Sequence, residues 1–190
     1  MHTTTIAEQL EIHLPVSDFH YASAAAVERM ADSQRQDLNH AKSISRTLDT
    51  RLIEEVVGCS AEIAFARMCG DDSHELPINT FHVAADYGAD IEIRASNNPV
   101  ARLIIRDDEP RDRRYVFFTI QFAGTVVKAF PEGWLYGHEA IKTKYRDNPH
   151  DARESYFVPK ADLRPMSTLE LYRADGTRVE LPTGYLDCRK

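Results

Sequence analysis

Residues 10–16, Leu-Glu-Ile-His-Leu-Pro-Val, alternate apolar and polar side chains, the two-residue period of a strand with one buried face. Pro15 lacks an amide N–H and confines that strand to an edge or an end. Ser17 or Asp18 supplies an N-cap for a helix after it. Ala22 to Gln36 is alanine-rich and predicts that helix, with Ala26, Val27 and Met30 on one side and Arg29, Asp32 and Gln36 on another. Asp37 to Ser45 is a connection. The next helix runs from Arg51 to about Met68, capped by Asp49 or Thr50 and stopped by Gly70. Its stripe of Leu52, Val56, Cys59, Ile63 and Ala66 repeats at the helical period. Gly58, Ser60, Ala61 and Ala64 are small and let this helix press closely on a neighbour; Glu62 falls among them.

After a polar loop from Asp71 to Thr80, the pattern changes to strands. Phe81-His82-Val83 and Ile91-Glu92-Ile93-Arg94 flank a turn at Gly88-Ala89-Asp90 and read as a hairpin. Asn97-Asn98-Pro99 is turn chemistry, and Ala101 to Ile105 predicts a third strand. Arg106 to Arg114 is a charged loop. Tyr115 to Phe122 is apolar at every step but two, as expected of a central strand covered on both faces. Another strand starts at Val126, and Pro131-Glu132-Gly133 is expected to break it. Trp134 to Gly137 leads into a short helix near His138 to Lys144. Lys142 to Arg153 is a polar loop, Tyr156-Phe157-Val158 a short strand, and Lys160 to Leu169 holds helical turns. Leu169 to Leu181 reads as a hairpin with Asp175-Gly176 at its tip, and the tail after Pro182 is expected to be loose. Helices come first, then a mainly antiparallel sheet, then mixed elements. The fold class is α/β or α+β, divided into an N-terminal extension over 1–50, a core over 51–169 and a C-terminal hairpin and tail over 170–190.

The 190 residues suffice for a core without staples, and 43% hydrophobic with 28% charged residues is ordinary for a soluble globular chain. Cys59, Cys69 and Cys188 show neither CxxC nor metal spacing, which fits a reducing cytoplasm. No apolar run is long enough to span a membrane, and the first residues lack a signal-peptide pattern. The net charge of −7 disfavours a generic nucleic-acid binder, although local basic patches can outweigh the sum.

The hairpin changes that picture. If Tyr87 pairs with Ile91 across a three-residue loop, Asp86 falls opposite Glu92 on one face, and Arg94, two residues on, joins them. Opposed like charges are destabilising, and a divalent cation between them turns that cost into a gain. Asp90 is the rival to Asp86; as a turn residue it is better suited to satisfying the backbone. A solvated face decorated with acids is the plain alternative.

With Gly58-Cys59-Ser60-Ala61-Glu62 on a helix, a lone Asp86, and Glu92-Ile93-Arg94 on the next strand, the chain resembles the PD-(D/E)XK nuclease superfamily over roughly Arg51 to Leu169. Gly133-Trp134-Leu135-Tyr136-Gly137 and Tyr156-Phe157-Val158-Pro159 resemble the downstream half of its small phage and mobile-element members. The resemblance implies a restriction-endonuclease-like core, a mixed central sheet with flanking helices. It also implies Mg²⁺- or Mn²⁺-assisted hydrolysis of phosphodiester bonds in DNA. Asp86 and Glu92 would hold the ion, Glu62 would reach it through water or complete a second site, and the Ile93 carbonyl is a further donor. Arg94 stands where the family has lysine; it supplies the fixed charge but not a base. The alternative is an inactive nuclease fold that acts as a binding or oligomeric module with a protein partner. Lys142, Lys144 and Arg146 form a less neutralised basic cluster and are the candidates for facing DNA, with Gln121 on the central strand to orient water or phosphate. Arg102, Arg106, Arg111, Arg113 and Arg114 are expected chiefly to pair with Asp107, Asp108, Glu109 and Asp112. His74, His82, His138 and His150 are scattered without zinc spacing. Cys59 and Trp134 read as core.

Overall fold

The alternating segment at the start becomes β1 (Glu11–Leu14), with Ile12 and Leu14 fully buried. The computed structural model describes residues 10–35, 47–78, 84–147, 154–172 and 177–188. Pro15 ends the strand and opens α1 (Val16–Arg35), its carbonyl accepting from the Asp18 and Phe19 amides. The helix thus begins a turn and a half before the alanine run, and neither Ser17 nor Asp18 is its cap. Asp18 instead takes two bonds from Arg67 of α2 (Leu48–Met68), at 3.0 and 3.1 Å. Gly70, at φ 70°, turns the chain out of α2, and the Asp71 amide closes back on the Ala66 carbonyl.

Beyond the helices the strands are β2 (Ile91–Ser96), β3 (Leu103–Arg106), β4 (Arg114–Ala123), β5 (Val126–Tyr136), β6 (Arg146–Asp147), β7 (Ser155–Val158) and β8 (Tyr185–Asp187). A short α3 (Gly137–Ala140) follows β5. A mixed five-stranded sheet has the order β2-β4-β5-β1-β8, and a smaller one the order β3-β7-β6. β2 runs parallel to β4, with Glu92 beside Tyr115 and Arg94 beside Phe117. This pair and β1–β8 make the central sheet mixed, while the other strand pairs are antiparallel. The turn itself is as expected: Tyr87 and Ile91 form an antiparallel bridge through both amides, with Gly88 at φ 59°. The expected strand Phe81-His82-Val83 lies outside the described residues.

β4 explains its own double apolar pattern. Val116, Phe118 and Ile120 face a core shared with α1 and α2. Tyr115 and Phe117 face a second core built with Leu103, Ile105, Tyr156 and Val158 of the small sheet. The expected third strand is therefore β3, but in the smaller sheet. Pro131-Glu132-Gly133 does not break β5. Phe117 pairs with Gly133 and Phe118 with Pro131, so Glu132 is the extra residue of a bulge. The bulge turns Glu132 onto the Thr119 hydroxyl (2.5 Å) and the Lys160 ammonium (2.7 Å). Gly133 has φ 145°, and a Cβ there would meet the Arg164 carbonyl at 2.6 Å.

The tail as far as Cys188 is not loose. β8 adds to β1 in parallel, held by the Glu11 amide on Gly184 and the Cys188 amide on His13. Three residues are too few for a hydrophobic period to announce them. In the C-terminal hairpin Tyr172 bridges Arg178, while its expected tip lies outside the described residues. No helix among the described residues is long and apolar enough to cross a membrane.

Candidate functional site

The Tyr87–Ile91 bridge fixes a turn whose two aspartates part company. Asp90 takes two bonds from Arg114, at 2.6 and 2.7 Å, and its own carbonyl accepts from the Arg114 amide. Asp86 accepts from the Ile93 amide at 2.7 Å and so caps the outer side of β2. Asp90 is committed to Arg114 as a turn residue, and Asp86 is the aspartate beside Glu92.

Glu92 and Arg94 project from the same face of β2. One Arg94 nitrogen, Nη1, lies 3.5 Å from Asp86, 3.2 Å from Glu92 and 3.2 Å from the Ile93 carbonyl. Nη2 reaches Glu109 at 3.2 Å, and the guanidinium lies 5.4 Å from the centre of the Tyr115 ring. Arg113 donates to the other Glu92 oxygen and to the Ala84 carbonyl. The three residues proposed from the hairpin therefore meet. Sequence reasoning missed Glu109 and Arg113, assigning both to ion pairs inside the charged loop. The signal available was that an acid pair bracketing Arg94 demands more than one cation once it is buried.

Burial pushes the Asp86 carboxyl above its ordinary range, and the charge of Glu62 adds to the push; the Ile93 amide and Arg94 oppose it. Glu92 is raised by burial and then by Asp86, against Arg94 and Arg113. For Arg94, burial works against the charge, but Glu109, Asp86 and Glu92 outweigh it and hold the guanidinium protonated. Both acids are thus held up first by burial, against the arginines that face them.

Glu62 is buried, as its small neighbours imply, but both its oxygens accept from Arg29 at 2.7 Å, and Arg29 also donates to the Pro77 carbonyl. The sequence pattern put Arg29 on the polar side of its helix; it is 6% exposed. A buried glutamate needs a cation, and Arg29 is that cation. Glu62 acts on Asp86 through its charge and does not share a contact with it.

The remaining candidates lie apart. Gln121 is exposed, six residues along β4 from Tyr115, roughly 20 Å at strand rise. The basic cluster is more neutralised than its sequence suggests: Lys144 binds Asp162 at 2.8 Å, Arg146 pairs with Glu154, and Lys142 lies 5.9 Å from the Tyr145 ring centre. Of the loop arginines, Arg111 and Arg106 do pair within the loop, with Asp107 and Glu109. Arg102 goes to Asp147 instead. Cys59 is core, its thiol pushed up to about 12 by burial, and Trp134 is buried with its indole N–H on Thr168. His82 lies outside the described residues.

Compared with protein-family models, curated proteins and solved structures, the chain matches none. The functional assignment therefore rests on the geometry. Among the described residues, no three His, Cys, Asp or Glu side chains gather as a metal-binding group. The Asp86–Glu92 pair is compatible with Mg²⁺, which commonly takes one or two carboxylates and keeps several waters. Arg29 holds both oxygens of Glu62, and Arg113 and Arg94 hold both oxygens of Glu92, so a metal ion at either carboxylate displaces a guanidinium contact; Glu62, in the more deeply buried pair, is the poorer ligand.

Proposed function

We propose that the chain is a metal-dependent nuclease that hydrolyses phosphodiester bonds in DNA, with a restriction-endonuclease-like core of the PD-(D/E)XK kind. The observation that carries this is the meeting of Asp86 and Glu92 around Arg94 at the start of β2, two acids whose proton affinities are held up first by burial, with Glu62 adding to Asp86 and Asp86 adding to Glu92. Asp86 and Glu92 offer the hard oxygens that suit Mg²⁺ or Mn²⁺. When bound, such an ion supplies a polarised water and a Lewis-acid contact to a phosphoryl oxygen. The Ile93 amide fixes the Asp86 carboxylate in place. Arg94, anchored by Glu109, is a preoriented cation for the negative charge that grows on phosphorus. It remains protonated and takes no part as a base. Glu62 and its partner Arg29 act on Asp86 in opposite directions.

The test is cleavage of supercoiled plasmid with Mg²⁺ or Mn²⁺, run beside Mn²⁺-dependent thermal stabilisation. Asp86→Asn and Glu92→Gln are expected to lower cleavage by at least about 10²-fold, the scale of losing one electrostatic contact to a transition state. Both should abolish the Mn²⁺-induced rise in melting temperature. Variants that cut at the wild-type rate would sink the assignment.

One observation favours a second reading, a nuclease fold without activity that serves as a binding or oligomeric module. Arg113 and Arg94 hold both oxygens of Glu92, and arginine replaces the lysine of the motif. It predicts neither cleavage nor stabilisation with any divalent ion.

A further inference from the structure

The outer face of the small sheet plays no part in the site above. β3 turns Leu103 and Ile105 into the second core and leaves Ile104 44% exposed, directly opposite Phe157 of β7. Arg102 and Arg106 flank Ile104 on the same side, and both are exposed. The Arg102 guanidinium lies over the Phe157 ring, 4.8 Å from its centre. Guanidinium and ring, with Ile104 beside them, form a partly apolar ledge. Among the described residues, Arg102 is engaged by Asp147 at 3.3 Å, a solvent-screened contact of the weak kind that a phosphate replaces readily, and the exposed Arg106 lies 3.6 Å from the more buried Glu109. Beside this ledge lies a groove of about 340 Å³ whose lining includes Arg102, Arg106 and Arg94 together with the acids Glu54 and Glu109.

Aromatic or guanidinium platforms interleaved with phosphate-binding cations are how single strands are held without reading sequence. Such a ledge takes an unstacked base, which a duplex does not present. We propose that this face binds single-stranded DNA, with a base on the Arg102–Phe157 ledge, phosphates on Arg102 and Arg106, and the strand running along the groove toward Arg94. That the strand is delivered to Asp86 and Glu92 rests on the nuclease proposal; the binding itself does not.

Fluorescence anisotropy with a labelled single-stranded oligodeoxynucleotide, in EDTA so that nothing is cut, tests it on the full chain. Wild type is expected to bind with strong salt dependence. Arg102→Gln and Arg106→Gln, both at exposed positions, should each lower the slope of log K against log salt by about 0.7, the loss of one phosphate contact on a single strand. Phe157→Leu keeps an apolar partner for Ile104 and should weaken binding about tenfold with the slope unchanged. Circular dichroism of each variant checks the fold. Absence of binding by wild type, variants that bind as wild type does, or a duplex competitor that outcompetes the single strand overturns the proposal. Asp86→Asn and Glu92→Gln in Mg²⁺ decide cleavage separately, so either proposal can fail alone.

Discussion

Arg94 touches Asp86, Glu92 and Glu109 and so carries the local charge balance. Arg94→Ala leaves these acids with less compensation at a half-buried position. Removing one partner of a buried pair costs about 3–5 kcal/mol; partial exposure puts the expected loss near the lower end, about 3 kcal/mol at neutral pH by urea denaturation. The pH dependence has a definite sign. Asp86 and Glu92 have raised proton affinities in the folded chain, so their unfavourable contribution exists above the ordinary carboxylate range and disappears as pH falls through it. The deficit of Arg94→Ala relative to wild type should therefore shrink between neutral pH and about pH 4. A deficit that stays constant or grows on acidification would show that Arg94 stabilises by packing on Tyr115 and not by charge.

At the scale of elements, α1 and α2 are locked by the buried Arg29–Glu62 pair, and Arg29 also ties in the loop at Pro77. Glu62→Ala strands a buried guanidinium and is expected to cost about 3–5 kcal/mol. Pairing it with Arg29→Leu should recover most of that loss, because no charge is then left uncompensated. A double-mutant cycle in urea measures the coupling, and additive losses would mean that the two side chains act independently. Glu62 was legible as a buried acid from its small neighbours Gly58, Ser60, Ala61 and Ala64. Arg29 was not, because a helix with one apolar side gives no hint that a cation on its other side meets a second helix.

For the whole molecule, what the pattern of residues disclosed was local. β1, α2 and β4 follow from their own periods, and the Tyr87–Ile91 turn from Gly88 and its flanks. The meeting of Asp86, Glu92 and Arg94 was legible because a tight turn dictates which side chains share a face. Partners brought from a distance were not. Arg113 on Glu92, the parallel pairing of β2 with β4, and β8 against β1 join segments whose separation leaves no periodic trace. Pro131 and Gly133 misled for the same reason. Their strand-breaking chemistry is real, but β4 holds the strand on both sides of the bulge, and the break becomes one extra residue.

β2 ends the sheet order, and among the described residues its ladder partner is β4 alone. β4 is clamped between β2 and β5 and between two cores. Amide hydrogen exchange should therefore release β2 before β4, since local opening begins where the fewest bonds must break together. Comparable protection in the two strands would contradict this order. Glu92 and Arg94 thus ride on an edge strand that opens more easily than the central β4. Their spacing can adjust by small movements of one rim strand, without disturbing the hydrophobic layers that keep the chain folded.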